Sequence, residues 1–166
     1  MRFGTLADAP QIAALHVDSW VSAYAGILPD DYLAGPLLQE RLELWDARLT
    51  YAADDACLLI EGAHEGFAYL VPQHDGRVLL DNLHVRPGLK RSGIGRSLMR
   101  EAFTWTAAHH PGAPLYLEVL RDNVPAIAFY ERLGGQVTRE FDETFPAGFV
   151  MPVVEYTWTP DRFSPC

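Results

Sequence analysis

The chain has 166 residues, of which 49% are hydrophobic and 21% charged, the size and composition of one soluble globular domain spanning 1–166. A net charge of −9 leaves no broad basic face with which to neutralise phosphates, which argues against nucleic-acid binding. No apolar run approaches the ~18–20 residues of a membrane span, and Met1-Arg2-Phe3-Gly4-Thr5 does not open a secretory signal, so the expectation is a cytoplasmic protein with no membrane partner.

The first predicted helix starts at Asp8 as N-cap, with Pro10 in its first turn and Gln11 at capping-box spacing, and ends at Gly26 and Pro29. Its stripes are Ile12, Leu15, Ser19 and Ala13, Val17, Trp20, Tyr24. A second helix is expected over Leu37–Leu49, with Leu38, Leu42, Trp45 and Leu49 at helical spacing. The period then changes. Ala56–Glu61, Phe67–Val71 and Arg77–Val85 are short apolar stretches separated by glycine-rich turns and read as an antiparallel meander. A helix over Gly93–His109, a strand over Leu115–Leu120, a helix over Asn123–Leu133 and strands over Gln136–Phe141 and Phe149–Thr157 complete the chain. This order predicts an α+β (mixed α/β) domain around one central sheet. The apolar run Phe149, Val150, Met151, Val153 and Val154 reads equally as core or as a homodimer face.

Cys57 sits in an apolar run and Cys166 ends the chain; neither has metal-ligand or redox-motif spacing. The six histidines likewise lack paired spacing, so no metal site is expected. The chemistry concentrates elsewhere. Arg86, Lys90, Arg91, Arg96 and Arg100 form a basic segment without an acidic residue. Within it, Gly93 and Gly95 lie where a strand ends and a helix begins. Glycines there admit an anion to the unpaired amides of a helix N-terminus, so the segment suits a pyrophosphate. The spacing is neither a P-loop nor a dinucleotide fingerprint.

The run Lys90-Arg91-Ser92-Gly93-Ile94-Gly95 resembles the signature loop of the GNAT superfamily of N-acetyltransferases, Gln/Arg-x-x-Gly-x-Gly/Ala, with Lys90 standing where Gln or Arg is usual. A second block, Leu117–Gly135, resembles the next strand and helix of that family, with Asn123, Ala126, Tyr130 and Gly134-Gly135 in order and Gln136 in place of the usual Phe. The resemblance implies a central, mostly antiparallel sheet with a splayed strand pair, and acetyl-coenzyme A as co-substrate. It assigns the pyrophosphate to the loop comprising Lys90, Arg91, Ser92, Gly93, Ile94, Gly95, Arg96 and Ser97. Leu83, His84 and Val85 would border the pantetheine arm, Leu83 and Val85 through their backbone, together with Asn123, Ala126, Phe129 and Tyr130. Asn123 reads equally as the N-cap of its helix.

By the same resemblance Tyr130 protonates the departing thiolate, a phenol being matched to that task. Asp81, on the strand of the cofactor contacts, is the expected base. His84 competes, although strand alternation would aim it at the opposite face, and Glu118 is a third candidate. Trp20 and Tyr24 border the acceptor in relatives with a similar Ser-Trp-x-x-x-Tyr-x-Gly run, and read also as helix packing. Asp30, Asp31, Asp142 and Glu143 would attract a cationic amine. The expected reaction is direct attack of an amine, on a small molecule or a protein, upon acetyl-CoA. The alternatives are a non-catalytic acyl-CoA-binding regulator and transfer of a different acyl group.

Overall fold

The computed structural model describes residues 1–35, 37–51, 55–144 and 148–163; Cys166 lies outside them. The elements run β1 (Arg2–Phe3), α1 (Ala9–Tyr24), α2 (Asp30–Ala34), α3 (Leu37–Thr50), β2 (Cys57–Glu61), β3 (Gly66–Pro72), β4 (Val78–Val85), α4 (Ile94–His109), β5 (Leu115–Leu120), α5 (Val124–Arg132), β6 (Gln136–Thr144) and β7 (Val150–Trp158). Seven strands form one sheet in the order β1-β2-β3-β4-β5-β7-β6. All neighbours are antiparallel except β4 and β5. The expected α+β architecture is the one found.

Two apolar layers sandwich the sheet. On one face Leu98, Met99, Ala102 and Phe103 of α4 and Tyr130 of α5 pack on Leu59, Leu70, Leu80, Leu117 and Tyr156. On the other, Ile12, Ala13 and Leu15 of α1 and Trp45 of α3 cover Leu58, Ile60, Phe67 and Tyr69. A third cluster joins Leu33 and Leu37 to Leu120 and Val153 on this second face. Val153 and Val154 are therefore core, while Val150 is exposed.

Two features of β4 place the functional groups. Its pairing with β5 is confined to Val78↔Leu115 and Leu79↔Tyr116, after which the strands part. Its pairing with β3 is interrupted: Tyr69 opposes Asn82 and Leu70 opposes Leu80, leaving Asp81 as the extra residue of a bulge. The extra residue resets the alternation. Val78 and Leu80 face α4, and beyond the bulge so do Leu83 and Val85.

Three sequence expectations need correction. Asp8 does not cap α1 with its side chain. Its carboxylate instead accepts from the Thr5 amide at 2.9 Å and pairs with Arg2 at 2.5 Å and His64 at 2.8 Å, so the capping box begins at Thr5, one turn earlier. The buried positions of α3 are Leu37 and Trp45, whereas Leu38 is 49% exposed. The inward stripe of that helix therefore passes through Arg41. Finally, the bulge places His84 on the same face as Asp81, contrary to simple alternation.

Candidate active site

Where β4 and β5 diverge, a cleft of about 1210 Å³ opens through the sheet. Leu83, His84 and Val85 form its β4 wall, Leu117–Leu120 its β5 wall. Past Leu79 the facing edges of the two strands have no ladder between them. Backbone groups left there need partners from elsewhere, and an extended ligand arm can supply them.

At one end lies the glycine loop. Gly93 adopts φ +92°, a left-handed conformation that costs glycine nothing, and a Cβ at that position would meet open space. Arg91 is also left-handed, at φ +68°. The first amide of α4 seen to donate back along the helix is that of Ser97, to Gly93 O at 3.0 Å. The preceding amides of the first turn are thus available to an anion. Lys90, Arg91, Gly93, Gly95 and Arg96 all line the cleft. Ser92, Ile94 and Ser97 do not: Ser92 donates to Leu89 O at 2.7 Å, Ile94 packs into the core beneath Gly66, and Ser97 donates to Glu61 at 3.2 Å. The Lys90 ammonium donates to Ser22 Oγ of α1 at 3.2 Å, tying the loop to the first helix.

At the other end stand the titratable groups. Tyr130 is buried against Phe129, Tyr156 and Trp158 and lines the cleft. Burial, followed by nearby Tyr24, pushes its phenol well above the ordinary value, so it stays protonated. Tyr24 is raised by burial too, with Asn123 as the hydrogen-bond partner that opposes the shift. Asn123 also accepts from Ala126 N at 3.4 Å, so it caps α5 while facing the cleft. Ala126 and Phe129 complete the α5 wall.

Asp81 is held from two sides. Arg48 Nη1 of α3 lies 2.5 Å from Oδ2, off the line of a hydrogen bond, and the buried Asn82 amide donates to the same oxygen. The Arg48 guanidinium is itself seated over Trp45 at 5.3 Å and Tyr69 at 5.4 Å. His84 Nδ1 is 2.9 Å from Ser19 Oγ, and its ring lies 4.5 Å from that of His16. Burial, then Lys90 and Arg41, push His84 down to about 3, so its imidazole is neutral. The Trp45 indole donates to His16 Nδ1 at 3.1 Å, which places the His16 proton on Nε2, a buried atom with no partner among the described residues. Glu118 of β5 is exposed at the lining of the cleft; partial desolvation there, then the carboxylates of Glu155 and Glu143, raise it. Trp20 and Tyr24 close this end from α1. Both packing and lining roles apply to them, since each also joins the third core cluster.

The sequence reading did not single out His16, Arg41, Arg48 or Asn82. The signal for Arg41 was present: it stands four residues from both Leu37 and Trp45. Among the described residues no group of three or more His, Cys, Asp and Glu could hold a metal.

Residues 15–135 match the model of the acetyltransferase (GNAT) family. The chain belongs to that family. The match takes in the C-terminal part of α1, the bulged β4, the glycine loop, β5 and α5, the elements that build the cleft. Among similar GNAT proteins is an uncharacterised N-acetyltransferase, YuaI, of Bacillus subtilis, 29% identical over 140 residues that make up 79% of this chain and 76% of that one. A spermine/spermidine N(1)-acetyltransferase of the same organism is 29% identical over 106 residues, 60% of this chain and 70% of its own. The GNAT fold is seen again in the PaiA N-acetyltransferase of Thermoplasma acidophilum, solved in complex with coenzyme A, which superposes with a TM-score of 0.73 at 20% identity over 95% of this chain and all of that one. No helix among the described residues is long and apolar enough to cross a membrane.

Proposed function

We propose that this acetyltransferase, acting as one catalytic domain over 1–166, moves the acetyl group of acetyl-CoA onto a primary amine by direct attack. The observation that carries the reading is the junction of the parted β4 and β5 with the open first turn of α4. The split offers unpaired backbone to a pantetheine arm, and the helix start offers amides and positive charge to a pyrophosphate. Arg91 and Arg96 add charge there, and the open space at Gly93 admits phosphate oxygens to the backbone.

In the reaction a C–N bond forms as the thioester C–S bond breaks, the sulfur gains a proton and the amine loses one. Tyr130, kept protonated by burial, supplies the sulfur's proton. Asp81 accepts the amine's proton through water, with Arg48 and Asn82 fixing the carboxylate. His84, neutral and on the same face, is its competitor. Direct attack is favoured over an acyl-enzyme because Cys57 lies on β2 and is absent from the cleft lining, and burial pushes its thiol up to about 12.

Calorimetric titration of acetyl-CoA into wild type and Gly93→Asp tests the proposal. Saturable binding that the added carboxylate abolishes places the cofactor at the loop. A well-folded wild type that does not bind overturns it.

A further inference from the structure

Arg41 lies on the inward stripe of α3, between the fully buried Leu37 and Trp45. Its side chain is only 16% exposed. A guanidinium so withdrawn from water needs a counter-charge or a full set of acceptors. Arg48, on the same stripe, has Asp81 at 2.5 Å. Arg41 has much less. Its one carboxylate within ion-pair distance among the described residues is Glu40, at 3.6 Å, and Glu40 also accepts from the Tyr32 hydroxyl at 3.3 Å. Arg41 Nε is buried with no hydrogen-bond partner among the described residues.

The location of this unmatched cation is specific. The Arg41 guanidinium stands 5.0 Å from the centre of the Trp20 ring, and Trp20 walls the cleft. Its charge is felt at His84, another cleft residue. On the same side of the sheet the cleft carries the carboxylates of Asp81 and Glu118. The acceptor end therefore offers acids for an ammonium and, beyond Trp20, an under-paired guanidinium. A planar guanidinium with free donors is matched to a carboxylate. A polyamine, with cations at both ends, would meet Arg41 as a like charge.

We propose that the acceptor is an amine that also bears a carboxylate, and that Arg41, backed by Trp20, receives this carboxylate. The inference rests on the acetyl-transfer reading and refines its substrate. A guanidinium–carboxylate contact of this kind changes kcat/KM by about 10- to 100-fold.

The test compares matched pairs of amines with acetyl-CoA as donor: phenylalanine with phenethylamine, tryptophan with tryptamine, methionine with 3-(methylthio)propylamine, and spermidine alongside. In wild type the carboxylate-bearing member of at least one pair should lead by about tenfold or more in kcat/KM. Arg41→Gln should bring that ratio close to one, mainly through KM, and Arg41→Lys should restore part of it. Glu40→Gln, which removes the competing carboxylate, should keep or widen the ratio. Thermal unfolding of each variant separates loss of preference from loss of fold. A panel in which no carboxylate-bearing member outperforms its partner overturns the proposal, whether spermidine and the simple amines lead or nothing is turned over. So does a preference that Arg41→Gln leaves intact. Acetyl-CoA titrated separately into wild type reports on the underlying acetyl-transfer reading, so the two failures are distinguishable.

Discussion

Asp81 and His84 are three positions apart on β4 yet point to the same side of the sheet, one reaching Arg48 of α3 and the other Ser19 of α1. The bulge at Asp81 makes this so. It brings a carboxylate and a neutral imidazole to one end of the cleft, the two candidate bases of the proposed reaction, and mutation separates them. Asp81→Asn should lower kcat by about 100-fold or more, in the range for loss of a general base. His84→Gln should retain at least about a tenth of kcat, the effect of a neighbour and not of the base. Steady-state kinetics at saturating acetyl-CoA decide the matter, and the reverse pattern would give the proton to His84.

Tyr130→Phe keeps the ring that packs on Trp158 and Tyr156 and removes only the hydroxyl. Acetyl-CoA affinity should stay within about threefold of wild type, while kcat falls by about 100-fold. An unchanged kcat would reduce Tyr130 to a core aromatic.

His16 and His84 are both held neutral, His16 well below the ordinary histidine value and His84 at about 3. Their folded values are depressed, so on acidification the unfolded chain binds protons that the native chain refuses. Stability is full above pH ~6.5 and declines below it, by as much as about 1.4 kcal/mol per pH unit for each histidine. Asp8, also depressed by its pairing with Arg2, adds its own loss only at pH values below the ordinary carboxylate range. Urea midpoints between pH 6.5 and 4.5 should therefore fall in wild type and fall less steeply in His84→Gln. A flat wild-type profile would contradict the buried, neutral pair.

Gly66→Ala probes the seat of α4. A Cβ there would lie 2.7 Å from Ile94 Cγ2 and 3.0 Å from His84 O. Overpacking of this kind costs about 1–3 kcal/mol. The neighbour best able to yield is Ile94, the first residue of α4, so acetyl-CoA binding should weaken along with the fall in Tm. Gly135→Ala, whose Cβ would meet Trp158 at 2.6 Å, supplies a comparison at a distance from the loop. Its destabilisation should be of similar size, with little effect on affinity.

Much of this was legible in the residues. Leu115–Leu120 is a strand with the bounds its β-formers suggest, and the glycine loop and α5 lie where their turn chemistry puts them. Their signals are local, which is why they can be read. β1 was not seen, because two residues carry no periodicity and are strand only by pairing with Leu59 and Ile60. The short α2 was missed for a similar reason: Asp30–Ala34 is little more than one turn, held by Leu33 in a distant cluster. The bulge is invisible in sequence, since Asp81 becomes an extra residue only when Tyr69 and Leu70 are laid beside it. Arg48 was not singled out, because only the fold lays Asp81 of β4 beside it.

Among the described residues, β4 and β5 are in register only at Val78↔Leu115 and Leu79↔Tyr116, with the Val78 amide also donating to Pro114 O at 2.9 Å, so the backbone seam between β1–β4 and β5–β7 is short. Side-chain packing across the core carries the rest. The sheet is thus two panels joined along a short seam, and the cleft is the gap beyond that seam. A pantetheine arm bound as proposed would lie in that gap as an eighth strand. On the proposed function, such an arm would bridge the two panels and so bear on the spacing between Asp81 of β4 and Tyr130 of α5.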